Sequence, residues 1–163
     1  MRGLSYLLAG CWTLWVGGTA LVNADPVALA IWSFENNSLT ASKNVDHFQQ
    51  TLPDLLVADL SRYPALQIVE RQNLVQALEE QKLGASELVA EEDRLKLGRI
   101  AGASAMLFGS YVVVDDQIRI DVRVVEVETS LIKFSKDTTT SLASVETEMH
   151  KLAEGLGEKL ARP

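Results

Sequence analysis

Apolar positions in the first half of the chain fall alternately into short continuous runs and into stripes spaced three or four residues apart. Runs of the first kind predict buried strands, and stripes of the second kind predict amphipathic helices. Pro53 interrupts the first stripe, so this helix either kinks there or has its main part begin at Thr51. The predicted elements are strands 27–34 and 65–70 and helices 44–62, 71–82 and 91–102.

The second half has a different rhythm, with three strand patterns in succession and one final helix. Clean alternation of apolar and polar residues over 118–124 predicts a strand with one buried face. The alternation slips at Val124-Val125, which predicts a β-bulge. The elements predicted here are strands 103–114, 118–124 and 131–139 and a helix over 142–160.

Together these elements give the order β-α-β-α-α-β-β-β-α. Strand–helix–strand units followed by an antiparallel meander predict an α/β (α+β mixed) fold, with one mixed five-stranded sheet and helices packed on it. Residues 25–163 are long enough for a single domain with a real core.

Residues 1–24 differ from the rest in holding Arg2 as their sole charged residue, followed by an apolar run that ends in VNA. This is the anatomy of a secretory signal peptide with cleavage after Ala24, and it predicts a periplasmic protein. A membrane anchor is disfavoured because glycine and threonine dilute the apolar run.

An alternative processing site lies at LAGC, residues 8–11, which is compatible with a lipoprotein box. Lipidation of Cys11 would make the chain an outer-membrane lipoprotein, and only in that case is a membrane partner expected. Cleavage after Ala24 is the favoured interpretation, because the residues after Cys11 are apolar where a tether would be polar.

Charge and cysteine content narrow the classes of partner. The formal net charge of −7 argues against binding to nucleic acid or to anionic lipid. Cys11 is the single cysteine, so a domain that begins at Asp25 has no disulfide and depends on its core.

Groupings that carry catalysis are not evident in the sequence. His47 and His150 fall in two different predicted helices without a second ligand at metal spacing. The acidic pairs are typical of solvated helix faces and of a hairpin turn, and no glycine-rich phosphate loop connects a strand to a helix. We therefore expect a non-enzymatic protein without a metal or another cofactor.

A set of ordered motifs resembles one family of exported proteins. VER at residues 69–71 spans the end of strand 65–70, a helix of the form QxLxxxLxExKL follows, and LGxxxGA leads into an apolar strand with the family's GS. This order is similar to the curli production assembly/transport component (CsgG-like) family. Flagellar-associated lipoproteins and the N-terminal domain of TolB are related in outline. The motif residues of structural interest are Glu70, Arg71, Gln72, Gly98 and Gly102.

The resemblance implies a structural joint where the second strand meets its helix. Arg71 has five donors that can tie the strand end to a neighbouring loop, and Glu70 lies where a helix N-terminus favours negative charge. A partner-binding charge pair is the alternative for these two residues. In the same region, Gly98 allows a close approach of helix and sheet, and Gly102 suits a left-handed helix cap.

The resemblance also implies an accessory or binding component in cell-envelope assembly or curli-type export. The family's pore-forming members carry long hairpin insertions, whereas here residues 115–117 form a short turn, so we expect no pore. The alternative is an envelope (lipo)protein that regulates a cell-wall or flagellar assembly enzyme. Partners are expected to be envelope proteins, and a homo-oligomer is compatible with both functions.

Two details leave choices open in the meander. The family has Thr-Gly where this chain has Thr129-Ser130, so the type of this turn is undetermined. The last strand, 131–139, is expected at a sheet edge, where Lys133 and Lys136 either blunt the edge or offer it for strand addition. Blunting is the favoured interpretation.

Overall fold

The computed structural model describes residues 25–38, 45–80 and 90–161. The predictions made for Cys11, for cleavage after Ala24 and for the end of the helix 71–82 lie outside these residues, and so does the side chain of Arg71.

The predicted mixed sheet is confirmed, and it has six strands where five were predicted. Its order is β3-β1-β4-β5-β6, and the short β2 also pairs with β4. The pairs β1–β3, β1–β4 and β2–β4 are parallel, whereas β4–β5 and β5–β6 are antiparallel. The strands are β1 (Val27–Ile31), β2 (Glu35–Asn36), β3 (Leu66–Ile68), β4 (Ala105–Val114), β5 (Gln117–Glu126) and β6 (Ile132–Ser141).

The additional strand arises because the predicted strand 27–34 is broken. Ile31 ends β1, and the chain returns to the same side of β4 at Glu35 after a detour through Phe34. Phe34 is buried, and a side chain built on Gly109 would come within 2.5 Å of its ring. Phe34, in the detour, therefore fills the space that Gly109 leaves. The short strand β2 was not predicted because Glu35 and Asn36 are both polar and show no apolar pattern.

Helices cover the two faces of the sheet unequally. The helices are α1 (Phe48–Leu60), α2 (Arg71–Glu80), α3 (Glu91–Ile100) and α4 (Val145–Leu160), with a 3-10 turn over Leu142–Ser144. The larger core packs α1 and α4 against one face, where Leu56, Tyr111 and Met149 are fully buried. A smaller core packs α2 and α3 against the other face around Met106 and Val125.

Pro53 lies inside α1 without dividing it, because the helix is continuous from Phe48 and does not begin at Thr51. Proline has no N–H for the carbonyl oxygen of Gln49, four residues earlier. That oxygen accepts the N–H of Phe34 instead, at 3.1 Å. The helix thus tolerates proline where the detour after β1 supplies the missing donor.

The predicted bulge at Val124-Val125 is confirmed, and the extra residue lies on the partner strand. Val124 pairs with Phe134 and Val125 with Ile132, which leaves Lys133 as the inserted residue of β6. The turn before β6 adopts a positive φ of 59° at Ser130, so this turn does require the conformation that glycine favours.

Candidate functional site

The junction between β3 and α2 is a two-residue connection. The N–H of Val69 donates to the carbonyl oxygen of Leu29 at 2.9 Å, and the N–H of Asn73 donates to that of Glu70 at 3.0 Å. The side chains of Glu70 and Gln72 are exposed. Glu70 lies at one end of a cleft of about 360 Å³ between α1 and β3. The backbone therefore passes directly from the sheet into α2, with Val69 packed against the smaller core and the side chains of Glu70 and Gln72 facing solvent.

The two motif glycines lie at the other end of the family-like segment. Gly98 faces the sheet, where an added methyl group would approach Met106 Cγ at 2.8 Å. Gly102 has a φ of 80° and follows the end of α3. The N–H groups of Gly102 and Ala103 donate to the carbonyl oxygens of Arg99 and Gly98, which is a Schellman motif. Both glycines therefore serve helix packing and helix termination.

On the side of the sheet where α2 and α3 pack, part of the surface is not covered by any helix of the described residues. We call this surface the open face. It lies on the odd-numbered positions of β5 and β6 and the even-numbered positions of β4, because side chains alternate along each strand. Its residues are Ser110, Val112, Arg119, Asp121, Arg123, Ser135, Asp137 and Thr139.

Arg94 lies where α3 borders the open face. Its side chain is 11% exposed, and its Nη1 bonds Glu35 Oε1 at 2.5 Å. The guanidinium also lies over the ring of Trp32, 5.7 Å from its centroid. A buried arginine requires such partners, because an uncompensated charge in the interior is costly. Arg94 thus joins α3 to β2 and the residue after β1.

Arg123 forms a second arginine pair on the other side of this region. Its Nη2 bonds Glu91 Oε2 at 2.5 Å, and its guanidinium lies 5.5 Å from the ring centroid of Phe108. Both side chains of the ion pair are nearly half exposed. The cation–π contact and the ion pair hold Arg123 against the start of α3.

A third arginine serves two carboxylates farther along the open face. Asp121 and Asp137 lie directly opposite each other on β5 and β6. Arg119 bonds Asp121 at 2.8 Å and lies 3.5 Å from Asp137. The hydrogen bond to Asp121, and then the negative charges of both aspartates, raise the pKa of Arg119. This row therefore holds two negative charges and one positive charge.

Between Arg94 and Arg123 the open face forms a shallow polar cleft of about 350 Å³. Its wall also includes Asn37, Ser110 and Ser135, and no histidine lines it. The described residues contain no group of three His, Cys, Asp or Glu side chains that could hold a metal ion. The cleft therefore presents paired charges and hydroxyl groups, which can form ion pairs and hydrogen bonds with a bound molecule.

The two histidines lie away from the open face. His150 on α4 contacts the buried Asp59 of α1 through Nδ1, and Arg62 lies 3.5 Å from the same carboxylate. His47 is exposed and immediately precedes α1. The Asp59–His150 contact joins the two helices of the larger core.

Reasoning from sequence did not find Arg94. The signal was present, because Arg94 shares the helical stripe of Leu97 and Gly98, both of which are buried. A charged side chain on an otherwise apolar stripe indicates a buried ion pair.

None of the described helices is both long enough and apolar enough to cross a membrane.

Comparison with known families and structures gives a consistent result. The sequence profile of the curli production assembly/transport component CsgG matches residues 27–115. No curated protein sequence matches the chain significantly.

Solved structures with a similar fold come from several bacteria. The C-terminal domain of LpoB from Salmonella enterica is 18% identical with a TM-score of 0.58, covering 74% of this chain and 87% of that one. Lipoprotein GNA1162 from Neisseria meningitidis is 13% identical with a TM-score of 0.58, over 84% and 98% of the two chains. The PelC dodecamer from Paraburkholderia phytofirmans is 12% identical with a TM-score of 0.51, over 82% and 88%. At these identities the similarity establishes a shared fold.

Proposed function

The chain belongs to the curli production assembly/transport component CsgG family, and we propose that it is a non-enzymatic accessory protein of the cell envelope that binds a protein partner through its open face. Its expected compartment is the periplasm, after cleavage at Ala24. The profile match supports the envelope role, and the geometry of the open face supports the mode of action.

The single observation that carries this proposal is the incomplete cover of the sheet. α1 and α4 bury one face, whereas α2 and α3 cover only part of the other. The uncovered strands present charged and hydroxyl side chains. Arg119 and Arg123 on these strands, and Arg94 beside them on α3, each form an ion pair with a carboxylate that fixes the position of the guanidinium. Ordered charge of both signs favours specific docking of a complementary protein surface.

The hairpin between β4 and β5 supports a role without a pore. The strands pair up to Val114 and Gln117, so Asp115 and Asp116 alone close the hairpin. Family members that form pores are expected to carry long insertions in the sheet region. A two-residue connection adds no such length here.

Photo-crosslinking in intact cells tests the docking surface. A photoreactive amino acid is introduced at Ser135 or Thr139 on the open face and at Glu154 on the exposed side of α4 as the matched control. We expect a defined crosslinked protein from the open-face positions and none from Glu154. Crosslinks confined to Glu154, or turnover of a substrate by the purified protein, would contradict the proposal.

A tethered envelope regulator of a cell-wall or flagellar assembly enzyme is the second candidate. It is favoured by LAGC at residues 8–11 and by the similarity to GNA1162, which is named a lipoprotein. The intact mass of the protein recovered from the envelope separates the two candidates. A chain that begins at Asp25 in the soluble periplasmic fraction supports the first, and an acylated chain that begins at Cys11 supports the second.

A homo-oligomer is compatible with either candidate. Support for it is limited to the similarity to PelC, which is named a dodecamer. Light scattering of the purified protein measures its mass directly, and a monomeric mass at high concentration would remove this part of the proposal.

A further inference from the structure

The two edges of the sheet differ in length. β3 forms one edge with three residues, whereas β6 forms the other with ten. Among the described residues β6 pairs with β5 alone, so its outer row of N–H and C=O groups faces away from the sheet. A long edge strand of this kind is a template for pairing with another chain.

The lysines of β6 do not protect this edge in the usual way. Lys133 Nζ bonds Glu126 on the neighbouring β5 at 2.9 Å. Lys136 lies on the α4 side, opposite Val122, and its charge lowers the pKa of Glu148 on α4 among several causes, of which the largest is the hydrogen bond from Lys151. Both lysine side chains therefore interact with carboxylates of this chain. They hinder the pairing of another strand with β6 less than two lysines on an edge strand ordinarily would.

The start of β6 carries exposed apolar side chains. Ile132 is 61% exposed, and Leu131, immediately before β6, is 60% exposed. Ile132 lies opposite Val125, which is buried under the smaller core. An apolar residue on an added strand next to Ile132 would extend that core outward.

The charged row on the open face continues to the same edge. Asp121 and Asp137 share Arg119, and Asp137, the outermost of them, is 63% exposed. Like charges directly opposite each other destabilise a sheet, and an opposite charge on the next strand relieves this. The row therefore favours a lysine or arginine immediately beyond Asp137.

We propose that β6 accepts an extended segment of a partner protein as a seventh, antiparallel strand, with a basic residue opposite Asp137 and an apolar residue opposite Ile132. This inference rests on the proposed function, since it specifies how the partner of the open face binds. The two residues are four positions apart in the segment, because Asp121 and Val125 show this spacing on the unbulged β5. Main-chain hydrogen bonds supply affinity, and these two side chains supply specificity.

A second copy of β6 satisfies these requirements less well. Antiparallel self-pairing centred on Lys136 or on Asp137 sets like charges opposite each other. Self-pairing centred on Ser135 sets Lys133 opposite Asp137, but Lys133 already bonds Glu126, and the polar Thr138 then lies opposite Ile132. Self-pairing centred on Thr138 sets Thr139 opposite Asp137, so the row gains no basic residue. The charge pattern therefore favours a different chain.

Peptide binding to the purified, envelope-processed protein tests the inference. The probe is the peptide Thr-Thr-Arg-Thr-Ser-Thr-Ile-Thr-Thr, and the comparison peptide has Glu in place of Arg. Amide chemical shifts in ¹⁵N-labelled protein report the binding site, and titration gives the affinity. We expect the Arg peptide to perturb β6 and β5, and Asp137→Lys to weaken its binding about tenfold while improving that of the Glu peptide.

Glu154→Lys on α4 is the matched control, because it makes the same change of charge at an exposed helical position that belongs to neither β6 nor β5. We expect it to leave both affinities unchanged. The inference is overturned if neither peptide binds, if the shifts lie outside β6 and β5, or if Asp137→Lys and Glu154→Lys have equal effects. A dimer that forms through β6 and dissociates in Asp137→Lys would assign the edge to a second copy instead. Crosslinks from Ser135 or Thr139 without peptide binding would retain the proposed function and reject strand addition alone.

Discussion

The N–H of Phe34 donates to the carbonyl oxygen of Gln49 at 3.1 Å, the oxygen that Pro53 leaves without a helical donor. The break after β1 therefore supplies an N–H donor, and the proline within α1 leaves the carbonyl oxygen that accepts it. Unpaired buried carbonyl groups are costly, so this pairing explains how α1 remains continuous across Pro53.

The two central glycines of α4 are expected to respond oppositely to alanine. A methyl group at Gly155 meets only Lys136 Nζ at 3.8 Å, whereas one at Gly157 runs into the ring of Tyr63, with Cδ2 at 2.8 Å. Gly155→Ala should stabilise the protein by about 1 kcal/mol through helix propensity. Gly157→Ala should destabilise it by about 1–2 kcal/mol through overpacking. Urea unfolding measures both, and equal shifts in the two variants would refute this account of the contact between Tyr63 and α4.

Ser130 has a φ of 59°, which a residue with a side chain adopts at some cost. Ser130→Gly should therefore stabilise the protein by about 1 kcal/mol in thermal or urea unfolding. The neighbouring Thr129 provides the control, since its hydroxyl donates to Glu126 and accepts the N–H of Leu131 at 3.3 Å. Thr129→Gly should destabilise the same turn, and a gain in stability from Thr129→Gly would contradict this interpretation.

The Arg94–Glu35 ion pair should contribute more to stability than the Arg123–Glu91 pair. Both have N–O distances of 2.5 Å, but the Arg94 side chain is 11% exposed and the Arg123 side chain is 43% exposed. Glu35→Ala should cost about 1–2 kcal/mol, because it weakens the compensation of a buried guanidinium. Glu91→Ala should cost less than about 1 kcal/mol. Double-mutant cycles with each arginine measure the two coupling energies, and a larger value for the exposed pair would count against the role given to Arg94.

Glu126 should contribute to the acid limb of stability. The hydrogen bond from Thr129, and then the interaction with Lys133, lower the pKa of Glu126 from its ordinary value of 4.5. A lowered pKa in the folded state stabilises the protein above the unfolded-state pKa, and this stabilisation is lost as the pH falls through the folded-state value. The difference in unfolding free energy between the protein and Glu126→Gln should therefore shrink as the pH falls from about 7 to about 3. The exposed neighbour Glu128 provides the control substitution, and a difference independent of pH would exclude this linkage.

Much of the fold was predictable because its signals are local. The alternation of Ile118, Ile120, Val122 and Val124 predicted the buried face of β5, and all four residues are buried. The slip at Val124-Val125 predicted the bulge, although not that the extra residue is Lys133 on the partner strand. Register depends on both strands of a pair, and this information is not contained in either strand alone.

The candidate site was less accessible to such reasoning. The resemblance drew attention to Glu70 and Gln72, which are exposed. The open face depends instead on pairs such as Arg94–Glu35, whose residues are 59 positions apart. The apolar stripe around Arg94 indicates that its charge is buried, but partners that meet only through the tertiary fold have no local spacing, so Glu35 could not be predicted as its partner.

The position of β1 in the sheet has a consequence for the order of folding. β1 precedes the other five strands of the described residues, yet it lies between β3 and β4 and pairs in parallel with both. Neither of its partners exists until a later part of the chain has emerged, and such non-local parallel pairing slows folding. β1 therefore completes its pairing late, whereas the β4–β5–β6 meander, whose strands are joined by short turns, can assemble first. A chain synthesised only as far as β3 can form the β1–β3 pair, but it lacks the pairing with β4 that places β1 inside the sheet.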